Sequence, residues 1–340
     1  MAHLDLSEVA DAFAAGIPSI IGQVDQLVRA IPPGSVTTYG DLAKSLGDSA
    51  ASRWVATYLL DPACGVADLS HRVVRSTGEI GLHCSGSSET KTQLLRGEGV
   101  VINRGTIDLE THRLQLPPMV ASLSKLKAWQ RDFACPGEQA FHLSNVKSIG
   151  GIDVSYGKEQ AISACARMQA DGQTKIGTHT CTGEAKFPYI TGYLAFREIP
   201  LHLHLLAEMQ AAGKLPDVLL VDGNGRLHPR RMGIATMLGG LTGIPTIGVA
   251  KKLICGVVQA PELKVGKWEP IIASQDAPDE ILGYAIMPHT KTKHPIYVSR
   301  GFGIDDTSMK EVVDRCLAGH RLPEPIYWAD RESRQLASTR

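Results

Sequence analysis

The stretch GGIDVSYG, residues 150–157, decides how the rest of the chain is read. Its alternating apolar pattern has the period of a strand, and it carries a carboxylate, Asp153, near its centre. Two further acids sit in segments of different build. Glu198 lies in PYITGYLAFREIP (188–200), within an amphipathic helical pattern. Asp222 follows the apolar run Val218 to Val221, which reads as a buried strand, and opens DGNGRLHPRR (222–231). Three elements can therefore bring three carboxylates to one point. Divalent-metal phosphodiester chemistry needs such acidic oxygens held in a fixed array.

Outward from these acids, strands are expected near 148–156, 160–170 and 174–182, close enough in sequence to form a meander. Helix 191–212, strand 217–221, helix 231–241 and strand 245–250 then alternate in the α/β manner. Strand 281–287, a short strand at Tyr297-Val298, and helical segments 305–318 and 326–337 complete this half. Upstream, IDLETHRLQLPPM (107–119) ends in two prolines that continue neither a helix nor a central strand. A first domain over 1–113, a linker over 114–122 and a second domain over 123–340 are the expected division. The first half carries helical patterns at 18–30, 39–46 and 50–60, with Pro18 suited to a first turn, and extended pieces near Val73 and over 100–107.

A chain of 340 residues suits two domains better than one, and 43% hydrophobic content is ample for two cores. No apolar run reaches the ~20 residues that span a bilayer and no signal-like start is seen, so cytoplasmic residence without a membrane partner is expected. The seven cysteines, Cys64, Cys84, Cys135, Cys165, Cys181, Cys255 and Cys316, form no CxxC pair, which argues for reduced thiols rather than disulfides or structural zinc. Thirty-five basic residues balance thirty-five acidic ones, so nucleic-acid contact must come from local patches. Candidates are His228-Pro229-Arg230-Arg231, Lys251-Lys252, Lys291-Thr292-Lys293-His294, and Arg72 with Arg75.

Six blocks in the second half, GGIDVSY, PYITGYLAFREIP, DGNGRLHPRRMGIA, PTIGVAKKLICG, PIYVSRGFGI and GHRLPEPIYWAD, resemble endonuclease V in order and spacing, from about Leu123 to the C-terminal helix. The resemblance implies a ribonuclease H-like domain, a mixed sheet flanked by helices, that cuts DNA near deaminated bases, hypoxanthine above all. Cleavage would fall one phosphodiester beyond the lesion on its 3′ side, and some members act on RNA. Matched residue by residue, Asp153, Glu198 and Asp222 are the metal-binding carboxylates and Asp330 is a further acidic position at the site. The metal implied is Mg²⁺, with Mn²⁺ able to substitute. Lys251 would stand near the scissile phosphate and His228 beside the acids. Pro188, Tyr189, Ile190, Thr191 and Gly192 match a wedge that enters the duplex, Tyr189 filling the gap left by the extruded base. Thr191 stands where the family usually has proline. Gly192, and Gly223 with Gly225 beside Asp222, permit close backbone approach.

In the first half, IPPGSVTTYGDLAKSLG (31–47), SRWVATYLLDP (52–62), LSHRVVRSTGEIG (69–81) and LLRGEGVVINRG (94–105) resemble the DNA-binding domain of O6-alkylguanine-DNA alkyltransferases, over about 17–113. This implies a winged helix-turn-helix-like module. Arg53 matches the arginine that replaces a flipped guanine, Tyr39 the tyrosine that helps rotate the 3′ phosphate, and His71, Arg72 and Glu98 the surroundings of the reactive centre. The family signature PCHRV is here Leu69-Ser70-His71-Arg72-Val73, so the acceptor cysteine is absent. A serine hydroxyl is a far weaker nucleophile than an activated thiolate, and Cys64 and Cys84 lie elsewhere in the motif. The module is thus expected to bind alkylated guanine without repairing it, Ser70 lining the lesion pocket. The Ser70-His71 pair lacks the GxSxG elbow of a hydrolase.

The overall expectation is a two-domain α/β and α+β chain: a metal-dependent deoxyribonuclease of DNA repair joined to an alkyltransferase-like module. A non-catalytic DNA-damage scaffold and an inosine-specific ribonuclease are the alternatives.

Overall fold

The computed structural model describes residues 4–116, 121–133, 141–158, 160–260, 262–289, 292 and 294–339. Cys135, Lys291, Lys293 and part of the expected linker lie outside them. The described residues divide into two compact units. One comprises 1–17, 130–185 and 194–340, the other 18–129 and 186–193. A first helix and a short internal segment thus fall with the unit opposite to the one a single cut in the sequence assigns them.

Along the chain, α1 (Leu6–Ala15) precedes α2 (Ile20–Arg29), which starts at a Ser19 N-cap, leaving Pro18 just outside the first turn where it was expected. There follow β1 (Thr37–Thr38), α3 (Tyr39–Ser45), α4 (Ser52–Leu59), β2 (Val73–Val74), α5 (Ser88–Gly97), the hairpin β3 (Ile102–Asn103) and β4 (Thr106–Ile107), α6 (Leu109–His112) and α7 (Ser122–Asp132). This unit is mainly helical. Thr38 and Asp41 close a reciprocal capping box that fixes where α3 begins, directly at Tyr39. Val36, Val74, Ile80, Leu95, Val100 and Ile107 form one core of the unit.

The other unit continues with β5 (Ser148–Tyr156), β6 (Ala161–Gln169), β7 (Lys175–Gly183), α8 (Leu194–Ala211), β8 (Val218–Asp222), α9 (Ile234–Thr242), β9 (Thr246–Ala250), β10 (Val257–Val258), β11 (Trp268–Ser274), β12 (Ala277–Ile286), β13 (Ile296–Phe302), α10 (Asp306–Arg315) and α11 (Glu324–Ser338). Its nine strands form one mixed sheet in the order β10-β11-β12-β13-β9-β8-β5-β6-β7. The pairs β5/β8 and β8/β9 are parallel and the rest antiparallel. The continuous apolar run of β8 is explained by this place, since a central parallel strand is covered on both faces and Val218 to Val221 are fully buried. The edge strand β7 is correspondingly polar and mostly accessible. Residues of α10 and α11 pack with Ile149, Val218, Leu220, Ile247 and Val249 on one face of the sheet. The meander, the α/β alternation and the mixed sheet with flanking helices are as expected. Among the described residues no helix is long and apolar enough to cross a membrane, and the six described cysteines are free.

Candidate metal centre and lesion-reading groove

Asp153 lies in β5, Asp222 ends β8, Asp330 sits on α11, and Lys251 follows β9. Because β5 and β8 are parallel neighbours paired from Ile149↔Val218 to Ile152↔Val221, Asp153 and Asp222 emerge together at one end of the sheet. The third acid arrives through a glycine. Gly151 shares a face with Asp153 by the strand period, and a Cβ there would lie 2.2 Å from the Pro325 carbonyl carbon. Only glycine lets α11 settle directly on β5, and one turn beyond Ile326 that helix presents Asp330. One carboxylate oxygen from each of Asp153, Asp222 and Asp330 then lies within 4.8 Å of the others.

Charge and burial define what this cluster can do. Burial raises the Asp153 carboxyl well above the ordinary carboxylate range, and the Asp222 charge adds to it. Burial also pushes Glu198 of α8 up to about 8, helped by Asp222, against the Tyr156 hydroxyl that donates to its Oε1 at 3.0 Å. Lys251 Nζ lies 2.5 Å from Asp222 Oδ2 and 3.2 Å from Asp330 Oδ1, and these acids lift its pKa despite its partial burial. Oxygen donors crowded against one another with their negative charge underneutralised fit a hard divalent cation. The close cluster holds Asp153 and Asp222 of the three expected carboxylates together with Asp330, the further acid expected at the site, while Glu198 lies outside it and interacts with Asp222 through charge.

Sequence reasoning passed over the residues that hold these acids. Ser333 Oγ, fully buried on α11, stands 3.4 Å from Asp153 Oδ2 and 2.8 Å from Ser155 Oγ, and Arg334 pairs with Asp330 at 2.9 Å. Tyr156 belongs to the GGIDVSY block itself, and its place at the strand end was the available signal. His228 is buried in the turn after β8, its Nδ1 accepting from the Arg230 N–H at 3.2 Å. Arg231 in that turn has a positive φ of 57°, unusual for a bulky residue and held by its N–H bond to the His228 carbonyl. A Cβ at Gly225 would lie 2.1 Å from the Arg300 carbonyl oxygen, and Gly223, at φ 153°, faces Ile234.

The segment 188–192, expected as a wedge, falls in the other compact unit, where Tyr189 is 64% exposed between buried Phe187 and Ile190, and Gly192 has φ 84°. In that unit Tyr39 and Arg53 line one groove together with Arg75 and Glu79. Ser70, His71 and Arg72 sit deeper. Ser70 Oγ donates to the Ala67 carbonyl at 3.0 Å, and His71 Nε2 and Arg72 Nη2 meet Glu98 Oε1 at 2.9 and 2.7 Å. Burial alone would raise Glu98, but these cationic and hydrogen-bonding neighbours bring its carboxyl below the usual range.

Residues 136–331 match the family model Endonuclease V, and residues 21–100 match the DNA binding domain of 6-O-methylguanine DNA methyltransferase. An endonuclease V of Ignicoccus hospitalis is 37% identical over 200 residues, which is 59% of this chain and 87% of that protein. A bifunctional methyltransferase/endonuclease of Picrophilus torridus is 36% identical over 235 residues, 68% of this chain and 74% of that one. The structure of Ciona intestinalis endonuclease V in complex with inosine-containing DNA superposes with a TM-score of 0.57 at 32% identity, covering 65% of this chain and 99% of that one. With the family model spanning more than half of its residues, and an alkyltransferase-type DNA-binding domain ahead of it, the chain belongs to the endonuclease V family.

Proposed function

We propose that the chain nicks DNA at deaminated bases, deoxyinosine above all, one phosphodiester beyond the lesion on its 3′ side, and that its first half binds alkylated guanine. The observation that carries the nuclease reading is the convergence of Asp153, Asp222 and Asp330 with Lys251 in an endonuclease V chain. Asp153, Asp222 and Asp330, bordered by Glu198, would hold Mg²⁺, with Mn²⁺ as a substitute. The bound ion would activate a water and stabilise charge on the departing 3′ oxygen. Lys251 neutralises two of the acids while a third of its side chain stays exposed, leaving an ammonium that can meet a phosphate oxygen. His228, fixed by its turn, orients groups beside the acids. Tyr189, exposed on a segment whose neighbours are buried, stacks into the gap left by the extruded base.

In the first half, Arg53 and Tyr39 in one groove support the reading that this module receives a flipped alkylguanine. Ser70, directed to a backbone carbonyl, is a poor acceptor for an alkyl group and serves as pocket lining.

The deciding experiment compares matched deoxyinosine and inosine strands with Mg²⁺. Nicking of the deoxyinosine strand, abolished in Asp222→Ala with DNA binding preserved, is the expected result. Cleavage of RNA alone would replace the reading with an inosine ribonuclease. Binding without nicking, with Mg²⁺ or Mn²⁺, would make the chain a recognition scaffold. For the first half, tighter binding of O6-alkylguanine duplex than of undamaged duplex is expected, with no alkyl mass gained by the protein.

A further inference from the structure

The base of the Lys186–Tyr193 segment is clamped by the helix-turn-helix module with which it forms one compact unit. Phe187, Ile190 and Tyr193 are at most 2% exposed, so the segment is anchored on both sides of the projecting Tyr189. Tyr193 closes the turn through its N–H to the Ile190 carbonyl at 2.9 Å. Its hydroxyl donates to Asp48 Oδ2 at 2.6 Å and lies 3.3 Å from the Leu123 carbonyl oxygen.

Asp48 has two tasks. Its Oδ1 accepts from the Ala50 N–H at 3.0 Å, capping the short turn that leads into α4 and Arg53, while Oδ2 holds Tyr193. Burial would raise its carboxyl, but the Tyr193 and Ala50 bonds, with Lys127 Nζ at 3.4 Å, bring it below the usual range and keep it an ionised acceptor. The start of α7 seals the joint: Leu123 N–H bonds the Leu46 carbonyl at 2.8 Å and Ser124 Oγ the Gly47 carbonyl at 2.7 Å. A Cβ at Gly47 would stand 2.6 Å from Ser124 Oγ, so the packing leaves no room for a side chain there. A hydroxyl bonded to an ionised acceptor in a buried setting holds its ring in one place, and Thr191 leaves free the backbone angle that proline would fix.

We propose that Asp48 and Tyr193 are positioning residues for cleavage of duplex DNA: together they fix the base of the wedge and tie it to the turn that enters the Arg53 helix. The proposal rests on the wedge reading of 188–192. A wedge matters where a base must leave a stack, and much less on a single strand that has no partner to hold open. A loosened wedge should therefore spare single-strand nicking, whereas general damage to the fold would not.

The test measures kcat/KM of the full chain on a deoxyinosine strand, paired and unpaired, for wild type, Tyr193→Phe, Asp48→Ser and the double variant. Serine at 48 keeps a cap oxygen for Ala50 but loses the charge and the reach to Tyr193. Each single variant is expected to lose about tenfold on duplex and less than about twofold on the single strand. The double variant should be no worse than the weaker single one, because both remove the same bond. Equal losses on both substrates, or none on the duplex, would overturn the proposal. If wild type nicks neither strand, the nuclease reading itself falls and the proposal with it.

Discussion

In the helix-turn-helix unit Glu98 receives His71 and Arg72 on its oxygens and Gly34 N–H at 3.4 Å, and its carboxyl stands below the ordinary range. In the nuclease unit Asp153 and Glu198 share their surroundings with Asp222 and are pushed the other way, with Lys251 the cation that bridges Asp222 and Asp330. Burial is part of the difference, since Asp153 and Glu198 are the more deeply buried and burial is the largest cause of their rise. The rest lies in the nearest groups, which are Arg72 and His71 at Glu98 and further acids at Asp153 and Glu198. Glu98 is a closed ion pair, whereas the aspartates, two of them paired with Lys251, crowd oxygen donors of the kind a hard cation takes.

The largest expected effect breaks the nuclease half of this contrast. Asp222→Ala should lower nicking by about a thousandfold or more, equivalent to ~4 kcal/mol in the barrier. Melting of the metal-free variant should not fall, and should rise if repulsion from Asp222 outweighs its bond to Lys251. Differential scanning calorimetry without and with Mg²⁺ reads both. A drop in metal-free stability would mean that the acids are held by internal pairing after all.

Next is Gly151→Ala. A Cβ there meets backbone of Pro325 and Ile326 rather than a flexible side-chain end, so α11 must shift and carry Asp330 with it. Nicking should fall by about a hundredfold, since a displacement of about 1 Å at the reacting groups has that effect. A variant with unchanged kcat/KM would show that α11 does not set the distance between Asp330 and Asp153.

Much of this was legible in the sequence, and the gaps have physical causes. Asp153 and Asp222 were readable because each lies in or ends a strand whose pattern is plain, and Glu198 because its helix is long. The closeness of Asp330 to them was carried by resemblance and not by pattern, since nothing in the alternation of β5 announces that Gly151 serves as a seat for α11. The helix α7, SLSKLKAWQRD, and α5, SETKTQLLRG, have few apolar residues and went unread, while α1 was passed over in a first half read from Pro18 onward. The strand β11 was hidden by Pro270. Pairing with β10 runs only through Val257 and Val258, and beyond them Pro270 serves as an acceptor for Gln259 N–H, so its missing donor goes unused. The placement of 186–193 with the first-half unit is a long-range packing fact that no local pattern encodes.

Removing the closed pair should act on stability instead of on cleavage. Glu98→Gln leaves Arg72 largely buried with its charge unanswered, at a cost of about 3 kcal/mol, read as a lower melting temperature of one transition. The sign with pH follows from the lowered carboxyl. In the window between its folded and ordinary values the unfolded chain binds more protons, so stability is present above the ordinary value near 4.5 and is lost as pH falls through the folded one. Wild type should lose this increment in acid, and Glu98→Gln should show a flatter profile. Nicking by the variant at neutral pH should change little at a temperature where both units are folded.

The smallest effect concerns a buried cation held chiefly by backbone carbonyls. Lys91 is 1% exposed, its ammonium donating to the Val73 carbonyl at 2.6 Å and the Leu82 carbonyl at 3.2 Å, and burial pushes its pKa down to about 8. A base whose folded pKa is depressed gives the same sign as Glu98: between about 8 and its ordinary 10.5 the unfolded chain holds the extra proton, so stability rises with pH across that window. Linkage approaches ~1.4 kcal/mol per unit once the ammonium is lost, so we expect a gain of about 1 kcal/mol between pH 8 and 9. The transition to follow is the one displaced by Glu98→Gln, since both residues belong to the same compact unit. Lys91→Met should remove the rise between pH 8 and 10 while Asp222→Ala leaves it in place. A wild-type profile as flat as that of Lys91→Met would show that the carbonyls hold the ammonium as well as an acid would, and the line between answered and unanswered charge would then have to be drawn by hydrogen bonds rather than by ion pairs.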